Sequence, residues 1–169
     1  LGHSKAEIMG RPRTADQSGV QGGGHKDLYH PGDVDFIRNL HADFVIDAID
    51  DVPAKISIAQ ICSLLRVAEA SSMGTGNRLH PEQLEIGDIY KTSVCPMARK
   101  IRKALKVLKV PHLTVVFSKE QPRRPIGEGH APGSISFVPP AAGMILAGIA
   151  VRTMLAQKES YDEIQDSAP

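Results

Sequence analysis

Three carboxylates, Asp47, Asp50 and Asp51, stand where a short apolar run ends and a helix is predicted to begin. The run over 44–49 is nearly continuous, which is typical of a parallel strand buried on both faces. In open α/β sheets, ligands bind at the carboxyl ends of such strands. Carboxylates at that edge can hold a metal ion or a nucleotide ribose, but an Asp shortly before a proline also commonly caps a helix. The residues alone leave both interpretations open.

The segment over 71–77 is a second candidate for ligand contact. Gly74 and Gly76 stand beside the hydroxyls of Ser71, Ser72 and Thr75, and small residues allow backbone N–H groups to approach a phosphate or carboxylate closely. An ordinary tight turn explains the same composition. The glycine triplet at 22–24 is interpreted as a linker, because no predicted strand precedes it and no helix follows.

A basic segment follows Pro96, which suits the first turn of a helix. Apolar residues recur there at helical spacing at Met97, Ile101, Leu105 and Leu108. The remaining positions carry basic side chains with no acid among them: Arg99, Lys100, Arg102, Lys103, Lys106 and Lys109. A solvated helix face is the ordinary explanation, and contact with a polyphosphate backbone is the alternative.

The elements that position these residues alternate between strands and helices. Strands are predicted over 44–49, 67–71, 84–90, 112–118 and 134–138, and helices over 4–10, 33–40, 53–66, 96–108 and 139–157. This alternation favours an α/β fold. Residues 11–26 have the composition of a loop or disordered segment, and 158–169 are expected to form a polar, unstructured tail.

Composition excludes several classes of protein. At 169 residues a single domain is expected, and the net charge of +1 gives no global attraction to nucleic acid. Cys62 and Cys95 are too few for a disulfide framework or a four-thiolate zinc site. No uncharged apolar run reaches the roughly 18 residues expected of a membrane span, so the apolar stretch over 141–151 is interpreted as a buried or dimer helix.

Five motifs in order give a more specific indication: Gly2–Glu7, Val45–Asp50 with Lys55, Ser71–Gly76, Asp88–Ser93 with Pro96–Arg99, and Gly133–Pro139. Together they resemble the bacterial tRNA threonylcarbamoyladenosine dehydratases. That family belongs to the adenylating superfamily that also contains the ubiquitin-activating enzymes and the activators of thiamine and molybdopterin sulfur carriers. Each motif alone is modest, but their shared order is specific, and the resemblance covers most of residues 1–10 and 27–157.

The resemblance implies a Rossmann-like, three-layer α/β domain of the ubiquitin-activating-enzyme type. It implies ATP-dependent cyclodehydration of threonylcarbamoyladenosine next to the tRNA anticodon, through adenylation of the threonyl carboxylate. Matched by motif, Lys5 would contact ATP phosphates, and Asp50 would be the catalytic residue that binds the nucleotide and magnesium. Asp47 would belong to the cofactor site chiefly as support at the strand end.

The resemblance also implies partners, namely the modified tRNA and a sulfur-transfer protein of the cysteine-desulfurase type. The apolar C-terminal helix suggests a homodimer and a peripheral membrane contact. The expected location is cytoplasmic, because two cysteines are typical of a reducing compartment. Charge alone suggests the residues that contact the tRNA backbone: Lys91, Arg99, Arg102, Lys103, Arg123 and Arg124.

The chain departs from the family pattern at its N-terminal side. The family's first βαβ portion, with its glycine-rich nucleotide loop, has no counterpart here, so 1–157 is expected to form a partial, N-terminally truncated adenylating domain. We therefore expect weak ATP binding and no activity from the chain alone. Two alternatives stay open: an adenylyltransferase for a sulfur carrier or ubiquitin-like protein, and a non-catalytic binding or dimerisation remnant. Cys62 and Cys95 weaken the first, because such activators commonly use paired Cys-x-x-Cys zinc ligands.

Overall fold

The computed structural model describes residues 4, 6, 8, 23, 24, 26–123 and 132–166, and the chain divides into two compact units, Leu1–His30 and Pro31–Pro169. In the first unit, the Ile8 amide donates to the Ser4 carbonyl at 3.1 Å, which is one helical turn inside the helix predicted over 4–10. Most of 11–26 lies outside the described residues, so its interpretation as a loop or linker stays a prediction.

The second unit is built on a mixed four-stranded sheet. Its elements are α1 (Val34–Asn39), β1 (Phe44–Asp47), α2 (Val52–Leu65), β2 (Ala68–Ser72), β3 (Leu84–Asp88), α3 (Pro96–Val107), β4 (Thr114–Ser118) and α4 (Val138–Asp166). Single 3₁₀ turns at Pro81–Gln83 and Ile89–Lys91 flank β3. The strand order is β1-β2-β4-β3, in which β1, β2 and β4 are parallel and β3 is antiparallel to β4. The predicted α/β class is confirmed.

Helices cover both faces of the sheet, which makes three layers. On one face, Val115 and Phe117 of β4 pack in a cluster with Ile101 and Leu105 of α3 and Ala59 of α2. On the other face, Ala70 of β2 and Val116 of β4 pack against Ala142 and Leu146 of α4. Neighbouring residues of β4 serve opposite layers because successive side chains of a strand point to opposite faces.

Local signals set both ends of α2. The Asp51 carboxylate accepts a hydrogen bond from the Ala54 amide at 2.8 Å, so Asp51 is the helix cap, with Pro53 in the first turn. The helix ends at Arg66, whose φ of 58° places it in the left-handed region. The helix then leads directly into β2, which is parallel to β1, so the carboxyl ends of β1 and β2 meet at one edge.

The expectation that the apolar run over 44–49 is buried on both faces is wrong. The side chains of Ile46 and Ile49 are 44% and 39% exposed. The reason is that β1 lies at the edge of the described sheet, where β2 is its one neighbour. An apolar run shows that the side chains are hydrophobic, but it does not show where in the sheet the strand lies.

Two expectations near the C-terminus are also corrected. Residues 134–138 do not form a strand, because Ser134 and Ile135 have no regular structure, a turn follows, and α4 begins at Val138. Pro139 and Pro140 occupy the first turn, where proline costs no hydrogen bond. The tail expected to be unstructured after 157 continues α4 as far as Asp166.

The full length of α4 changes the analysis of its apolar stretch. Within Val138–Asp162 an 18-residue window has a mean hydropathy of 1.5, and this is the one helix among the described residues that is long and apolar enough to cross a membrane. Sequence analysis had not identified an apolar stretch of that length. Ala142 and Leu146 pack on the sheet, but only 22% of the window is buried and Met144, Val151 and Leu155 are exposed.

Candidate functional site

A buried polar network lies at the carboxyl ends of β1 and β2. The Lys55 ammonium donates to Asp47 Oδ2 at 3.0 Å and to Ser71 Oγ at 3.2 Å, and Ser71 Oγ donates to the same Asp47 oxygen at 2.7 Å. The three residues are at most 2% exposed. Charges buried this deeply persist because they are paired and hydrogen-bonded. The network ties α2 to the ends of both strands.

A second acid, half-buried, lies close to this network. Glu69 of β2 faces Cys62 of α2, and one of its carboxylate oxygens, Oε1, has no hydrogen-bond partner among the described residues. Burial raises the pKa of Glu69 to about 8, and the nearby Asp47 charge acts in the same direction. Burial lowers the pKa of Lys55, against the pull of the Asp47 carboxylate. Sequence reasoning missed Glu69. The one feature that could have indicated it is that an acidic residue stands in the middle of a predicted strand.

A cavity of about 320 Å³ opens in front of the network, at the same edge of the sheet. Its walls are 48–50 after β1, 72–76 after β2 and 95–97 at the start of α3, with Arg78, Pro122 and Pro132 completing the lining. Asp50 is exposed and lines this cavity, whereas Asp47 does not. Asp47 and Asp50, three positions apart in the sequence, therefore have different surroundings: Asp47 is buried in the network and Asp50 lines the cavity.

The glycines of the 71–77 segment are explained in part by close packing of the chain. A Cβ on Gly76 would lie 2.9 Å from the Cβ of Pro132. Next to it, the Asn77 amide donates to the Gly133 carbonyl at 2.8 Å, and the Gly133 amide donates to Asn77 Oδ1 at 2.6 Å. These contacts hold residues 132–133 at the cavity. At least at Gly76, the glycine is therefore explained by close packing against Pro132 and not by contact with a ligand.

Arg78 is a cavity residue that sequence reasoning did not single out. It is 3% exposed, and its Nε donates to the Glu120 carbonyl at 3.2 Å. Its Nη1 donates to the carbonyls of Gly74 and Gly76. Its Nη2 is buried without a hydrogen-bond partner among the described residues. From sequence alone, a basic residue in a polar loop is expected to be exposed. The burial of Arg78 is evident only from the fold.

The residues suggested for tRNA contact fall into three groups. Lys91, Arg99 and Lys103 are exposed. Arg102 is half-buried, and its Nη1 donates to the Thr92 carbonyl at 2.9 Å and to Thr92 Oγ1 at 2.6 Å, so its guanidinium is engaged within the fold. Arg123 is exposed, with Nε 3.7 Å from Glu120 Oε1. Arg124, like Lys5 of the suggested phosphate contact, lies outside the described residues.

No metal cluster is built into the part of the chain that the structure describes, since no three His, Cys, Asp or Glu side chains there lie together as ligands could. Asp50 is a single exposed carboxylate on the cavity. Magnesium is typically bound by one or two carboxylates together with substrate phosphates. The chemistry of this edge therefore fits a magnesium ion that arrives with a nucleotide.

Comparison with known proteins agrees with the resemblance. No protein-family model matches the chain. The tRNA threonylcarbamoyladenosine dehydratase of Bacillus subtilis is 33% identical over 69% of this chain and 52% of its own length, and the Escherichia coli enzyme of the same name is 28% identical over 63% and 40%. This chain is similar to the tRNA threonylcarbamoyladenosine dehydratases over part of their length.

Solved structures of the Escherichia coli dehydratase match the fold as well. The structure in complex with AMP superposes with a TM-score of 0.72 at 26% identity, covering 80% of this chain and 58% of that chain. The structure in complex with ATP gives 0.71 at 26% identity, covering 80% and 57%. The Rossmann-like fold expected of the dehydratase family is thereby confirmed. The chain spans little more than half the length of these relatives.

Proposed function

We propose that the chain serves ATP-dependent cyclodehydration of threonylcarbamoyladenosine in tRNA, through adenylation of the threonyl carboxylate. The observation that carries the proposal is the place of Asp50. Its exposed carboxylate lines a cavity at the carboxyl edge of the parallel strands, in a fold that superposes on dehydratase structures holding AMP and ATP. Bound ATP would supply the adenylyl group that turns the carboxylate oxygen into a leaving group.

In this mechanism Asp50 orients the nucleotide and is the residue that would hold magnesium, whose charge offsets that of the reacting phosphate. Asp47, Lys55 and Ser71 do not touch the cavity but fix the end of β1 from which Asp50 projects. A fixed backbone keeps the Asp50 carboxylate in position without reorganisation during the reaction. Pro122 and Pro132 complete the lining of the cavity.

The basic face of α3 is proposed to contact the tRNA backbone. Ala98, Ile101 and Leu105 bury the opposite face of this helix, so Arg99 and Lys103 point to solvent with no acid on the helix to neutralise them. Each phosphate contact that is lost reduces the slope of log affinity against log salt by about 1. An Arg99→Gln/Lys103→Gln variant is expected to lower that slope by about 2 in tRNA binding, while Arg38→Gln leaves it unchanged.

The decisive experiment incubates the chain with ATP, magnesium and tRNA carrying the modification. AMP release and loss of one water from the modified nucleoside are measured together, the second by mass spectrometry. Asp50→Asn is expected to abolish both signals, and Asp43→Asn, another exposed acid next to β1, serves as the matched control. If the chain alone is inactive, adding the Bacillus subtilis relative bearing the equivalent Asn tests complementation. AMP release that persists in Asp50→Asn contradicts the assignment.

The remaining proposals concern an oligomer, a location and a protein partner. The outer face of α4 carries exposed Met144, Val151 and Leu155, which suits a homodimer in which this face is covered by a second copy; light scattering of the purified chain measures this directly. The same apolar helix would also make a peripheral membrane contact, which liposome flotation tests. A sulfur-transfer partner, proposed from the family resemblance, is tested by co-purification. The proposed cytoplasmic location is tested by cell fractionation.

A further inference from the structure

Arg78 is a buried cation without a counter-ion. Its guanidinium contacts three backbone carbonyls, and no carboxylate among the described residues lies within ion-pair distance of it. Arginine stays protonated in proteins, and a buried charge is costly unless an opposite charge or a full set of hydrogen bonds compensates it. Neither condition is met, because Nη2 has no partner in the described part of the chain.

The same cavity contains the start of α3, a helix of twelve residues. Its capping residue, Cys95, makes no side-chain hydrogen bond to the first turn, so no side chain satisfies the N–H groups there. Such N–H groups, together with the helix dipole, favour an anion. Arg78 and the helix start are close neighbours: Arg78 Nη1 and Cys95 Sγ each lie 3.9 Å from the point that a Cβ on Gly74 would occupy.

We propose that Arg78 and the first turn of α3 form a binding site for an oxyanion of the substrate, a carboxylate or a phosphate. The two features are independent, since one is a side chain after β2 and the other a helix terminus, and both line the cavity into which Asp50 projects. Naming the anion as the threonyl carboxylate or a nucleotide phosphate rests on the proposed function. The anion site itself rests on the unpaired guanidinium.

The test measures binding of simple anions to the purified 169-residue chain by thermal shift and isothermal titration. N-carbamoylthreonine probes a carboxylate source, and AMP and inorganic phosphate probe a phosphate source. Wild-type chain is expected to melt at a higher temperature with at least one of these probes, because a ligand that binds the native state stabilises it. Arg78→Gln is expected to weaken that binding by about tenfold or more, the loss typical of a charge-assisted hydrogen bond.

Two further variants separate binding from folding. Arg78→Lys keeps the charge and is expected to bind more tightly than Arg78→Gln, and Arg38→Gln, which removes an exposed arginine of α1, is expected to bind like wild type. If Arg78→Gln does not fold, the Arg78 Nε–H signal of wild-type chain is followed by NMR during the titration and is expected to shift on anion binding. Response to N-carbamoylthreonine alone assigns the substrate carboxylate, and response to AMP and phosphate alone assigns the nucleotide.

Three results overturn the proposal. They are no response of the wild-type chain to any of the anions, equal anion binding by wild type and a folded Arg78→Gln, and a titration in which the Arg78 Nε–H signal does not move. A lower melting temperature with unchanged anion binding identifies Arg78 as a purely structural clamp on the Gly74 and Gly76 carbonyls. None of these readouts uses ATP turnover or tRNA, so this proposal and the proposed function can fail separately.

Discussion

Replacement of Lys55 by methionine tests the buried network that supports the site. The substitution keeps most of the side-chain volume but removes the one cation next to Asp47 among the described residues. The Asp47 carboxylate would then be left with the Ser71 hydroxyl at 2.7 Å and the Ile49 amide at 3.2 Å as its donors. Both members of the ion pair are almost fully buried, so water cannot replace the lost partner.

The expected magnitude follows from this burial. Breaking a buried ion pair by removing one partner costs about 3–5 kcal/mol of unfolding free energy, a large share of the roughly 5–15 kcal/mol that stabilises a typical domain. Asp47→Asn should also destabilise, because it leaves the Lys55 ammonium buried. The double variant Asp47→Asn/Lys55→Met leaves no isolated charge, so its loss should fall short of the sum of the two by about 1–3 kcal/mol.

The assay is urea denaturation at pH 7, followed by far-ultraviolet circular dichroism. The exposed pair of Arg38 and Asp35 on α1 provides the matched control, since both of its side chains are more than half exposed. Arg38→Met should cost less than about 1 kcal/mol. The reasoning is refuted if Lys55→Met costs no more than Arg38→Met, or if the losses of the two single variants at Asp47 and Lys55 add without any coupling.

Two further predictions concern the same edge of the sheet. Because burial raises the pKa of Glu69 from 4.5 to about 8, native Glu69 keeps a proton that the unfolded chain releases, so stability falls as pH rises across that window. Glu69→Gln should flatten this slope in urea melts; an unchanged slope would contradict the assignment. Asp51→Ala should cost about 1 kcal/mol as a lost helix cap, whereas Asp50→Ala should change the free energy of unfolding by less than about 0.5 kcal/mol. Equal losses would show that the two acids share the capping role.

The features that sequence analysis predicted are those fixed by neighbours in the chain. The start of α3 at Pro96 and β4 depend on proline geometry and apolar runs. A helix cap before Pro53 was one of the two interpretations that the sequence left open, and the structure assigns it to Asp51. The run at 134–138 was misassigned because its β-branched and aromatic residues lead into a helix whose first residue, Val138, is fully buried. The edge position of β1, which accompanies the exposure of Ile46, is a tertiary property that a single run of residues cannot report.

The same distinction explains why the site was only half predicted. Asp50 was found because it follows a recognisable strand. Arg78 and Glu69 were not, because their significance is burial without a full set of partners, and burial is set by elements distant in sequence. Glu120, for example, supplies a carbonyl to Arg78 from 42 positions away. Unusual polar residues of this kind emerge only when the polar groups around each buried charge are counted in three dimensions.

The charges at the carboxyl edge of the sheet are arranged so that only two of them act on the cavity. The charge of Asp47 is cancelled at 3.0 Å by Lys55, and Glu69, with its pKa raised to about 8, is largely protonated at neutral pH. The field in the cavity is then set by Asp50 and Arg78, which carry opposite signs. The cavity lining thus presents one acid and one base, each without an ion-pair partner among the described residues. Under the function and the anion site proposed above, a metal-bound nucleotide would lie against Asp50 and an anion against Arg78. Preorganised charges of this kind would offset the repulsion between two negatively charged reactants.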